Sequence, residues 1–145
     1  MREKSREKGY TLLELTIVLA ILVILMLAAV PHFQNLISSA KRAAALEEAQ
    51  ITADAVRLYI LDRQEEGELK ARDILPLINL ELDQPGNILE DYMSLGQEDA
   101  RIETVVVDIA TGDLSQLTYR TPDCRVRLTW NSEGRLTVEY PQEGI

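Results

Sequence analysis

The 145-residue chain has little of what catalysis usually requires. It contains one cysteine, Cys124, and one histidine, His32. A single thiol cannot form a disulfide within these residues, so pairing says nothing about the redox compartment. No Cys or His spacing suits zinc, and no glycine-rich loop is built to cradle phosphate. Asp83, Glu98 and Asp99 are the only acids worth weighing for calcium. They lack an ordered oxygen-ligand spacing, so solvated carboxylates are the preferred reading and no cofactor is expected. His32, beside Pro31, reads as an interfacial residue. Tyr59, Tyr92 and Trp130 read as core or interface residues. No catalytic constellation emerges, and the chain is not expected to be an enzyme.

Positive charge is also scarce, and it is unevenly placed. The formal net charge is −9. Residues 1–9 hold Arg2, Lys4, Arg6 and Lys8 against Glu3 and Glu7, a local +2, which leaves −11 on the remainder. A body that acidic is repelled by phosphate backbones, so no direct nucleic-acid binding is expected. The length suits one domain.

What the chain does have is one long apolar run. From Leu15 to Val30 every residue is apolar except Thr16. Thr11 to Phe33, taken as a helix, is ~35 Å long, which matches a hydrocarbon core of roughly 30 Å with some tilt. The basic flank lies on the amino-terminal side, so the leader is expected to stay cytoplasmic and the body to face outward. An ordinary secretory signal carries small residues at a cleavage site after its apolar core. Here no such site follows the run. Instead Gly9 separates the basic leader from it, and a cut there would remove the charges and keep the helix.

Glu14 is anomalous at the start of that run. A carboxylate in hydrocarbon costs ~2.5–3.5 kcal/mol at a helix centre on insertion scales, and less near an interface. Two readings stand. Either the side chain reaches back to the headgroups, or it meets a cation in the membrane plane. The candidate cation appears only after cleavage, as the new α-amino group of Tyr10, from the same chain or from a staggered neighbour.

Gly9-Tyr10-Thr11-Leu12-Leu13-Glu14-Leu15, followed by an apolar run that ends at Pro31, resembles the class III leader of type IV pilins and type II secretion pseudopilins. The resemblance covers residues 9–33 and the basic leader. It implies that a prepilin peptidase cuts after Gly9 and methylates the amino terminus of Tyr10. It further implies that Glu14 directs assembly and that Pro31 kinks the helix. Tyr10 stands where phenylalanine is usual, which keeps an aromatic ring. Val23 stands where the family often has a helix-weakening glycine, so local melting on assembly is not implied.

Beyond the apolar run the helical pattern continues. Phe33, Ile37, Ala40, Ala44, Ala45, Ala49, Thr52, Val56, Tyr59 and Ile60 recur at three- and four-residue steps, which predicts one helix to about Glu66. Pro31 should bend it, and Gly67 should close it in a left-handed cap. Asp73 is expected to cap a short helix over Ile74 to Leu80, and Asn87 with Glu90 to start one more helical turn. Thr104 to Ile109, Leu117 to Tyr119, Cys124 to Trp130 and Leu136 to Tyr140 read as strands separated by turns at Thr111-Gly112-Asp113 and Asn131 to Gly134. Cys124 falls in phase with the apolar face, which favours a buried thiol over an interchain pair.

The fold expected is therefore α+β, a long amino-terminal helix whose outer half packs on a three- or four-stranded antiparallel meander. The expected organisation is a leader over 1–9, a membrane or filament-core helix over 10–33, its amphipathic continuation over 34–66 and a head over 67–145. The resemblance implies the same lollipop shape. It also implies partners: identical or related pilin subunits, the prepilin peptidase, an inner-membrane assembly platform, and membrane lipid before assembly. The leading expectation is a single-pass membrane precursor that becomes a filament subunit. The alternatives are a secretion pseudopilin, a DNA-uptake pilus subunit, and a signal-anchored binding module that never polymerises.

Overall fold

The computed structural model describes residues 9–141, apart from the side chain of His32. The leader charges Arg2, Lys4, Arg6 and Lys8 lie outside the described residues, as does His32 in its proposed interfacial role. The chain forms two compact units, one ending at Ser39 and the other starting at Ala40. Helix α1, Leu12–Glu66, supplies all the regular structure of the first unit and the first element of the second.

In the first unit the helix stands alone. Every large apolar side chain from Leu12 to Ile37 is exposed. Its hydroxyls bond locally: Thr16 Oγ1 donates to the Leu13 carbonyl at 2.8 Å, and Ser39 Oγ to the Asn35 carbonyl at 2.9 Å. The helix runs unbroken through Pro31.

The second unit is an α+β head. After α1 come α2 (Ala71–Ile74), a 3₁₀ turn over Leu75–Leu77, and strands β1 (Leu80–Glu81), β2 (Arg101–Val107), β3 (Leu114–Arg120), β4 (Arg125–Trp130) and β5 (Leu136–Glu139). The strands form one antiparallel sheet in sequential order, a meander of five. The fifth member is β1, two residues paired with the start of β2, which the sequence pattern does not signal. Two register shifts in β2, between Ile102 and Thr104 and between Val106 and Val107, bring Ile102 opposite Tyr119 and Val107 opposite Leu114. Such bulges let a strand keep its apolar residues inward where strict alternation would turn them out.

The core lies between this sheet and the later turns of α1. Ala45, Ala49, Ala53, Val56 and Ile60 pack in one cluster with Ile102, Leu117, Tyr119, Val126 and Leu128. Three alanines at four-residue steps keep that helix face flat, so larger side chains from the strands fill the gap. The rim is held by cations on α1. Lys41 pairs with Asp123 at 2.8 Å, Arg42 sits 5.8 Å from the Tyr140 ring centre, and Arg57 sits 4.3 Å from that of Trp130. At the far end of α1, Tyr59 and Tyr92 meet edge to face at 6.1 Å, and the Tyr92 hydroxyl donates to Asp62.

Three sequence expectations need correction. Gly67 ends α1 with φ +159°, far from the left-handed cap region, and its N–H donates to the Gln64 carbonyl. The short helix starts earlier than expected. Asp73 occupies its third position, and its carboxylate reaches back to the Lys70 N–H at 2.9 Å, so the acid closes the first turn from inside. Asn87 does cap one turn through the Leu89 N–H, but the Glu90 carboxylate accepts from Gly86 and no helix follows. Cys124 precedes β4, half-buried against the core with a free thiol that burial pushes up from its ordinary pKa.

Two buried polar groups make the packing testable. Thr52 is fully buried in the core with an unpartnered hydroxyl. Thr52→Val keeps its shape and removes that hydroxyl, so thermal unfolding of the full chain in detergent should show a gain of about 1 kcal/mol. Equal or lower stability would contradict this account. Tyr119 is also fully buried, and its hydroxyl donates to Glu48. Burial first, and that hydrogen bond second, raise its phenol above the usual tyrosine value of 10.0. A raised folded pKa contributes stability that is complete below about pH 10 and lost as pH climbs toward the folded value. Tyr59 and Tyr92 are shifted the same way. Tyr119→Phe should therefore flatten, without abolishing, the loss of melting temperature above about pH 10.

Candidate functional site

The segment singled out by the sequence sits at the start of α1. Thr11 caps the helix: its Oγ1 accepts the Glu14 N–H at 3.2 Å, and its carbonyl accepts the Leu15 N–H at 3.1 Å. A threonine cap satisfies a donor that the first helical turn cannot pair internally. Gly9 and Tyr10 precede the helix and are exposed. A Cβ built on Gly9 would meet nothing within 4 Å. The bond between Gly9 and Tyr10 therefore lies in exposed chain directly before a capped helix.

Glu14 occupies the first turn of α1, exposed. Its carboxylate lies at the helix end where unpaired N–H groups favour negative charge. Among the described residues it has no ion-pair partner. Tyr10 lies outside the helix, so the two are not neighbours on one helical face here. Pro31 lies within the helix, between exposed apolar residues on either side. Around these residues the chain offers one surface, an apolar cylinder. Its best window has a mean hydropathy of 2.9, and α1 is long and apolar enough to cross a membrane.

Elsewhere, one of the acids weighed for calcium has other work. The Asp83 carboxylate accepts the Asp99 N–H at 3.1 Å and so ties two loops together. Among the described residues, no group of three or more His, Cys, Asp or Glu side chains is gathered to hold a metal. Tyr59 and Tyr92 pack on each other, and Trp130 lies under Arg57. The sequence reading missed Glu48, whose carboxylate secures the fully buried Tyr119. Its place on α1, one residue before Ala49 of the core face, was the available signal.

A capped apolar helix, with an acid in its first turn and a glycine just before it, leads into an α+β head. Residues 4–30 match the family model described as the prokaryotic N-terminal methylation motif. Among curated proteins, the chain is 40% identical over 65 residues to a type IV major fimbrial protein FimA of Dichelobacter nodosus, covering 45% of this chain and 42% of that one. A second protein of that organism, a fimbrial protein, is 37% identical over 73 residues, 50% of this chain and 43% of its own length. The matches thus span less than half the length of these relatives. No solved structure matches the chain significantly. The amino-terminal segment thus carries the prokaryotic N-terminal methylation motif and is similar to that of type IV fimbrial proteins.

Replacing Thr11 with Val deletes the cap and should weaken the first turn by about 1 kcal/mol. In micelles the Glu14 amide should then exchange with deuterium several-fold faster, while amides beyond Thr16 keep their rates. Unchanged exchange at Glu14 would show that Thr11 does not set the helix start.

Proposed function

We propose that this chain is a structural subunit of a type IV pilus-like filament, made as a single-pass precursor in the cytoplasmic membrane. The basic leader holds the amino terminus on the cytoplasmic side. A prepilin peptidase cuts between Gly9 and Tyr10 and methylates the new terminus of Tyr10. Removing Arg2, Lys4, Arg6 and Lys8 takes away the charges that pin the helix to the inner face. An inner-membrane platform then passes the subunit from lipid to filament.

The observation that carries this reading is the stalk. It exposes every large apolar side chain and keeps one acid in its capped first turn. Such a surface needs lipid before assembly and other stalks after it. Glu14 would meet the Tyr10 amine of a neighbouring copy and so set the stagger between chains. An acid and an amine in a low-dielectric core are tolerated only as a matched pair, because either alone is strongly destabilising. The bend expected at Pro31 would align the stalk within the bundle. The fimbrial relatives support a pilus over a secretion pseudopilus, and the acidic head supports a structural role over nucleic-acid contact.

Mass spectrometry of the mature protein should give an amino terminus at methylated Tyr10. Glu14→Ala should leave the protein inserted and cut, but filaments counted by electron microscopy should fall at least about tenfold, the equivalent of ~1.4 kcal/mol per subunit. A mature protein that retains residues 1–9 would favour a signal-anchored module that never polymerises, and wild-type filament numbers from Glu14→Ala would remove the acid's role.

A further inference from the structure

The sheet of the head treats its two edges differently. One edge is β1, only two residues long. The other is β5, Leu136–Glu139, which lies last in the sheet and keeps an unshifted register against β4. An edge strand presents unpaired N–H and C=O groups, and natural sheets blunt such edges by shortness, bulges, lysine or proline. The length of β1 blunts it. β5 carries none of these devices.

The outward backbone groups of β5 belong to Leu136 and Val138. At the hairpin turn the Asn131 N–H donates to the Arg135 carbonyl at 3.1 Å, so those two residues form a hydrogen-bonded pair. Such pairs alternate along an antiparallel ladder. Thr137 and Glu139 therefore turn their N–H and C=O groups to β4. Leu136 and Val138 turn theirs outward, where no further strand lies among the described residues.

The side chains of this edge match themselves. Arg135, Thr137 and Glu139 are exposed, while Leu136 and Val138 are half-buried against the core. Laid antiparallel on a second copy with Thr137 facing Thr137, the strand sets each Arg135 opposite a Glu139 and each Leu136 opposite a Val138. The outward groups of each Leu136 then bond those of the facing Val138. Centring the pair on Leu136 or Val138 also satisfies the backbone, but it faces Thr137 with a charged residue instead. Existing cross-strand rows continue in the favoured register. Thr129 already faces Thr137, Trp130 faces Leu136 and Leu128 faces Val138. Across two copies these become a row of threonines on the outer face and two apolar rows on the core face. Within one copy the two charges hold only long contacts, Arg135 to Glu133 at 3.8 Å and Glu139 to Arg127 at 3.5 Å. The acid-rich stretch between β1 and β2 lies at the opposite edge of the sheet, so pairing at β5 does not bring those acids together.

We propose that the β5 edge is an interaction surface and that its partner is β5 of a second copy, joined antiparallel about a two-fold axis at Thr137. Such a contact closes on itself, so it links two copies and cannot lengthen a filament. It stands whether or not the stalks polymerise. On the filament reading, it ties a head of one filament to a head of another.

The test uses the full chain in detergent micelles, where no filament is needed. Facing residues of a non-hydrogen-bonded pair lie ~4.5 Å apart at Cα, within disulfide reach. In a Cys124→Ser background, Thr137→Cys should form a disulfide dimer on mild oxidation at least about tenfold faster than Ser132→Cys in the neighbouring turn. Adding Arg135→Glu should slow that cross-link several-fold, and Arg135→Glu with Glu139→Arg in the same chain should restore it. Val138→Pro removes an outward N–H and spares the bonds to β4. It should lower the rate to that of Ser132→Cys while the melting temperature holds. Equal rates at positions 137 and 132 would overturn the pairing. So would failure of the charge exchange to restore the rate, which is readable even if the proline variant folds poorly. Filaments without the cross-link would overturn this contact alone, and the cross-link without filaments would overturn only the filament reading.

Discussion

An apolar helix surface that nothing in its own chain covers is the constraint on which the rest depends. Each Å² of such surface in water costs roughly 25 cal/mol, and α1 exposes all its large apolar side chains from Leu12 to Ile37. Such a surface is at rest only where water is excluded, in lipid or against another apolar surface. Both environments exclude water, so backbone polarity has to be settled inside the helix. The Thr11 cap and the bond from Thr16 to the Leu13 carbonyl do this for the first turns. Only the Glu14 carboxylate is left in need of an outside partner. In the proposed filament the specificity of the stalk would be concentrated in that one residue, because aliphatic groups attract one another without regard to register.

The head solves a different problem with the same helix. Ala45, Ala49 and Ala53 give the sheet a flat face to lie on, and Tyr119, Leu117 and Leu128 supply the volume. The surface pair between Lys41 and Asp123 is half exposed on both sides, and such pairs are worth little individually. The arginines stacked on Trp130 and Tyr140 do more, since each covers an aromatic face with its guanidinium while keeping its charge wet. On the other face of the sheet, Glu103 bridges Arg120 and Arg125 across β2, β3 and β4. The meander is therefore tied both to the helix and across its own strands, as a five-strand sheet whose edge strand is only two residues long needs to be.

The long helix, its end at Glu66, and strands β2 to β5 were readable in the sequence because each has one strong period and a turn residue at its boundary. The prepilin-like segment was readable because a glycine, an acid five residues on and an apolar run broken only by Thr16 form a rare combination. What was not readable depended on tertiary contact. β1 is too short to carry alternation and exists only because β2 runs beside it. β2 begins at Arg101, three residues early, since a bulge after Ile102 hides the period. Asp73 was placed at a cap because acids favour both the cap and the third position, and only the reach back to Lys70 distinguishes them. Leu82, Leu89 and Ala100 belong to the core although their loops carry no period at all.

Charge gives the two ends of the molecule opposite tendencies. Without residues 1–9 the chain carries −11, and between Arg72 and Arg101 it has seven acids and no base. Copies brought together by their stalks would bring these acids close as well. At ordinary ionic strength a charge is felt over ~10 Å, roughly the thickness of one helix with its side chains, so repulsion acts between heads in near contact and not across the filament. Attraction in the stalks is largely indifferent to salt, whereas repulsion in the heads is weakened by it. A subunit built this way cannot pack its heads face to face like with like. In the proposed filament it would offset neighbours until basic side chains fall near the acids of the next copy. Offset along an axis is what a helical array supplies and what a symmetric pair does not. In the proposed filament the acidity of the head would thus favour the same offset geometry as the lone carboxylate in the stalk.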